Sequence, residues 1–64
     1  MNGHGECWLV ANGDDGNKYW AYVRKYSDSY ETSFKAQVKQ RSGYACRTVR
    51  RVYSEPDDGI SITL

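Results

Sequence analysis

From residue 30 to residue 40 the chain alternates. Tyr30, Thr32, Phe34, Ala36 and Val38 fall on one side, and Glu31, Ser33, Lys35, Gln37 and Lys39 on the other. Successive side chains of a strand point to opposite faces, so this pattern predicts a strand with one buried and one wet face. After Ser42-Gly43 the period changes. Over residues 44–53, a spacing of about 100° per residue gathers Ala45, Cys46, Val49, Val52 and Tyr53 within an arc of about 120° and leaves Arg47, Thr48, Arg50 and Arg51 outside it. That is the signature of an amphipathic helix, with Ser42 as its N-cap and Pro56 beyond its end. A rival reading makes residues 28–53 one long helix. Asp28 and Glu31 have capping-box-like spacing, and Phe34, Val38, Ala45, Val49 and Val52 line one face. Gly43 would then lie mid-helix at a cost of about 1 kcal/mol relative to Ala, which favours the strand followed by a helix.

The rest of the chain is placed as partners to these elements. Cys7-Trp8-Leu9-Val10 suits a first strand. Residues 12–17, Asn-Gly-Asp-Asp-Gly-Asn, are turn formers and predict a hairpin loop. Residues 18–26 suit a second strand, with Tyr19, Ala21 and Val23 on one face and Trp20, Tyr22, Arg24 and Tyr26 on the other. Residues 55–59 form a turn, and residues 60–64 alternate Ile, Ile, Leu against Ser, Thr as a short closing strand. The expected fold is α+β in the order β-β-β-α-β: a three-stranded antiparallel meander packed on one helix, with a short C-terminal strand. Residues 1–64 make a single small domain, with residues 1–5 a loose tail.

In layout, three consecutive strands followed by a helix resemble the sheet-reading domains of plant ethylene-response transcription factors and the arm-type N-terminal domains of phage integrases. The likeness is one of topology. It implies a sheet laid against nucleic acid and assigns no residue.

Composition narrows the function. A chain of 64 residues buries only about 60% of its unfolded surface, so its core is small. Six tyrosines and two tryptophans supply large contact area with few rotatable bonds. The start carries neither a basic segment nor an apolar run, and no stretch approaches a membrane span, so a soluble, cytoplasmic protein is expected. Two cysteines, Cys7 and Cys46, are read as small buried apolar residues in a reducing compartment. Together with His4 they provide at most three soft ligands, short of a closed zinc site, so neither metal nor cofactor is expected. The single His lies in the tail and neither cysteine has a sequence neighbour that marks a nucleophile, so the chain does not read as an enzyme.

Charge is uneven although the net charge is +1. All nine Lys and Arg lie between Lys18 and Arg51, with only Asp28 and Glu31 opposing them; the other six acids lie in the flanking segments. If Phe34, Ala36 and Val38 face the helix beside Tyr19, Ala21 and Val23, the open face carries Trp20, Tyr22, Arg24 and Tyr26 beside Lys35, Gln37 and Lys39. Rings that stack on bases, interleaved with cations that neutralise phosphates, predict DNA or RNA binding. Arg47, Arg50 and Arg51 on the helix add a possible phosphate grip. The alternative is a protein-interaction surface built from the same aromatics, in a homodimer or in a small inhibitor of a larger protein such as phages and mobile elements encode. A third possibility is that the aromatics and cations merely pair with one another across strands.

Overall fold

The structure is a computed structural model, and it describes residues 5–46 and 48–64. It is an α+β fold of one helix and a four-stranded mixed sheet. In chain order the elements are β1 (Cys7–Asn12), β2 (Lys18–Val23), α1 (Asp28–Ser42), β3 (Arg50–Val52) and β4 (Ile60–Ser61). Across the sheet the order is β3-β1-β2-β4. β1 lies antiparallel to both β2 and β3, while β4 runs parallel to β2.

The expected β-β-β-α-β order is therefore corrected to β-β-α-β-β. The segment expected to be the third strand is the helix, and the segment expected to be the helix contains a strand. The alternation at residues 30–40 misleads because Thr32 and Ala36 are only weakly apolar, and both are exposed. What is buried is Phe34 and Val38, four residues apart on one helical face. Lys35, Ala36, Gln37, Lys39, Gln40 and Arg41 are good helix formers, so propensity and this short stripe agree. Ser27 caps the start, its hydroxyl accepting from the Tyr30 N–H at 3.1 Å; the cap is thus one residue ahead of the Asp28–Glu31 spacing. Gly43 ends the helix in the left-handed region at φ 83°, its N–H donating to the Lys39 carbonyl at 2.9 Å. Asp28 and Glu31 in the first turn, and Lys39 and Arg41 in the last, suit the helix dipole. The rival long helix is right as far as Ser42 and stops there. Beyond it Thr48, Val49 and Val52, all β-branched, favour extended backbone. With three strands no longer consecutive before a helix, the layout that resembled the plant and phage domains is absent.

The expected hairpin is present. Cys7 pairs with Val23 and Asn12 with Lys18. Cys7, Leu9 and Ala11 of β1 and Tyr19, Ala21 and Val23 of β2 form the core with Phe34, Val38 and Ile62. The core therefore fills the layer between sheet and helix. Residues 53–59 carry the chain from β3 at one edge to β4 at the other, past three strand spacings of about 4.8 Å each. They lie against the sheet face away from the helix. Val10 points to that face and is only 2% exposed. It shares a cleft of about 240 Å³ with Lys18, Val52, Glu55, Pro56 and Asp57. Lys18 Nζ meets Asp58 Oδ1 at 3.0 Å, tying the loop to β2.

Candidate functional site

Strand register builds the face away from the helix. One row across the sheet reads Val52, Trp8, Tyr22; the next reads Arg50, Val10, Trp20, Ser61. The loop of residues 53–59 lies against the second row, and the first row stays open. There the Trp8 and Tyr22 rings pack at 5.5 Å between centroids with planes tilted by 58°. Tyr22 is 44% exposed, and its hydroxyl donates to Glu6 Oε2 at 2.8 Å. That hydrogen bond pushes the Tyr22 phenol above its usual pKa.

Trp20 and Tyr22 both face away from the helix, but Trp20 lies in the row beneath the loop and only Tyr22 in the open one; Arg24 follows just past β2 and lines a groove with both. The lysines expected beside them are elsewhere. Lys35 and Lys39 lie on α1, in the other layer, with Gln37. Arg50 sits at the far rim, lining clefts with Val52 and Pro56 on one side and with Asp14 and Thr48 on the other. Arg47 lies outside the described residues.

Tyr26 and Arg51 belong to a different cluster. The Arg51 guanidinium carbon stands 4.2 Å from the centroid of the Tyr26 ring. The Tyr26 hydroxyl donates to Glu31 Oε1 at 2.5 Å, and Lys35 Nζ meets Glu31 Oε2 at 3.5 Å. Donation to Glu31, above all, raises the Tyr26 phenol to about 12, and the same bond lowers the Glu31 carboxyl. The cluster joins the chain just past β2 to the first turns of α1 and to β3. It sets a cation over a ring and a phenol on a carboxylate, with Tyr26 packed against the core.

Trp8, Glu6 and Tyr30 escaped notice as site residues. Trp8 was legible, since it alternates with Cys7, Leu9 and Ala11 and had to face away from them. Tyr30 was not, because its position beside Arg24 depends on the helix following β2. A groove of about 480 Å³ runs along the outer side of β2, lined by Trp20, Tyr22, Arg24, Tyr30, Ile62 and Leu64 among others. Trp20 Nε1 is buried with no hydrogen-bond partner.

No group of three His, Cys, Asp or Glu among the described residues is arranged to hold a metal ion. Cys7 and Cys46 are free, and burial raises both thiols above their usual pKa, away from the reactive thiolate. No helix among the described residues is long and apolar enough to cross a membrane. Compared with protein-family models, with curated proteins and with solved structures, the chain finds no match in any of the three.

Proposed function

We propose that the chain is a non-enzymatic binding module that engages a protein partner through the open Val52, Trp8, Tyr22 row of its sheet. The observation that carries this is the Trp8–Tyr22 pair, Tyr22 exposed and Trp8 half-buried beside it, with a carboxylate, Glu6, bonded to it rather than a cation. Aromatic rings that are large, rigid and half-buried are the usual anchors of protein interfaces. The surroundings favour the same partner class. Glu55 and Asp57 lie over the neighbouring row, and Lys35 and Lys39 are on the opposite layer. A phosphate backbone laid on this face would meet acids where the nucleic-acid reading, with Trp20, Tyr22, Arg24, Lys35 and Lys39 together, required bases.

Selection from a phage-displayed random heptapeptide library, run beside a titration with a pool of short DNA duplexes and single strands, tests the reading. Selected peptides are expected to bind with little change between low and moderate salt, and to lose binding to Tyr22→Ala. The DNA pool is expected to leave the Trp8 and Trp20 indole signals in place. DNA-induced shifts centred on Trp8, Trp20 and Tyr22 that fade linearly in log salt would overturn it.

A further inference from the structure

The two ends of β2 are treated differently on its outer side. β4 is two residues long against six for β2, and it pairs Ile60 with Tyr19 and Ser61 with Trp20. One further bond, from the Ile62 N–H to the Trp20 carbonyl at 2.8 Å, ends the ladder. That bond shows which way the backbone points. Even-numbered residues of β2 turn their N–H and C=O groups outward, and odd-numbered ones turn theirs to β1. By alternation Tyr22 presents its backbone outward, next in line after Trp20, with no strand beside it.

The groove lies at this unpaired end. Its side toward the open face is made by Tyr22 and Arg24, and its side toward the helix by Tyr30 and Ile62. Arg24 is the only charged side chain that lines it, is exposed, and makes no ion pair among the described residues. An unpaired strand edge recruits another extended chain, with backbone bonds giving affinity and alternate side chains giving specificity. The Glu6 carboxylate is taken up by the Tyr22 hydroxyl, which leaves Arg24 as the charge that lines the groove itself, and its complement is a carboxylate on the incoming chain.

We propose that this edge accepts an extended segment of a partner protein as a short added strand, its acidic side chain meeting Arg24 and the neighbouring apolar side chain packing between Tyr30 and Ile62. This rests on the protein-binding reading and names the edge that reading uses. A second copy of the chain is the poorer occupant. Its matching edge reads Lys-Tyr-Trp-Ala-Tyr-Val and then Arg24, and it offers no carboxylate. Its acidic loop at residues 55–58 would dock head to tail, a contact that does not close into a dimer.

The selected heptapeptides decide the matter. They are expected to share an acidic residue next to an apolar one, to protect the Tyr22 amide from hydrogen exchange, and to bind Arg24→Glu roughly three- to tenfold more weakly. Repeating the selection on Arg24→Glu, an exposed substitution that leaves the core untouched, is expected to replace the acid with Lys or Arg. Peptides that lose binding to Tyr22→Ala yet show no acid, no exchange of preference and no protection at Tyr22 would overturn the edge proposal and leave the binding face standing. An empty selection would overturn both, and concentration-dependent self-association through Tyr22 and Arg24 would replace the partner segment by a second copy.

Discussion

Beside Tyr19 with Asp15 and Tyr22 with Glu6, Tyr26 is one of the residues through which pH reaches this fold. Its phenol is raised to about 12 because it donates to Glu31, and Glu31 is lowered by the same bond. A raised phenol contributes stability that is complete below pH 10 and lost as pH climbs from 10 towards 12. A lowered carboxyl contributes stability present above its ordinary value of 4.5 and lost as pH falls through the depressed one. Urea unfolding of Tyr26→Phe across this range is expected to show both slopes diminished, with the acid slope kept in part by Lys35. A variant as pH-dependent as the parent protein would remove Tyr26 from this role. Gly43 is another sensitive residue. It holds φ 83° at the end of α1, with open space where a Cβ would go. Gly43→Ala therefore meets only backbone strain and is expected to cost roughly 1–2 kcal/mol in denaturant unfolding, while Gly43→Asn costs less because Asn tolerates this conformation.

At the scale of elements, α1 depends on very few side chains. Phe34 and Val38 are its only fully buried residues, and apart from Tyr30 the rest of its surface is polar or small. Helix propensity and the caps at Ser27 and Gly43 hold the local structure, and Phe34 holds it to the sheet. Phe34→Ala is expected to cost about 3–5 kcal/mol. At about 0.05–0.15 kcal/mol of stability per residue, that is a large share of what a chain this size has. Thermal or chemical unfolding with Thr32→Ala as the control separates the two readings of residues 30–40. In a helix with Thr32 exposed, the control changes stability by no more than about 0.5 kcal/mol; in a strand with Thr32 buried beside Phe34 both substitutions would destabilise.

At the scale of the molecule, the loop of residues 53–59 decides which surface is free. It spans the sheet from β3 to β4, lies against Val10, and leaves the Trp8–Tyr22 row open. Gly59 is where it turns into β4. Its φ is 108°, and a Cβ there would lie 2.8 Å from the Lys18 carbonyl oxygen. Gly59→Ala is expected to push β4 from β2, seen as lost hydrogen-exchange protection of the Ile62 amide that bonds Trp20. Unchanged protection would mean that the loop accommodates the methyl group by moving instead. Either result also reports on the groove, since Ile62 and Leu64 line it.

Local pattern was enough for the hairpin and for an α+β fold with one helix; of the strands expected over residues 18–26 and 60–64 it placed the beginnings, which end at Val23 and Ser61. In the hairpin side-chain alternation and turn chemistry agree, and strands that are neighbours in sequence are neighbours in space. It was not enough for residues 30–40, where a two-residue period and a helical stripe through Phe34 and Val38 both fit the letters. Only packing against Leu9, Tyr19 and Ala21 chooses between them. The site divided in the same way. Trp20 and Tyr22 lie on the same face as each other because strands alternate, whereas which layer that face meets depends on where the helix packs. Whether Lys35 and Lys39 join them, whether Arg51 sits on Tyr26 and which row the 53–59 loop covers are set by how elements distant in sequence come together, because each depends on contacts that no local period encodes.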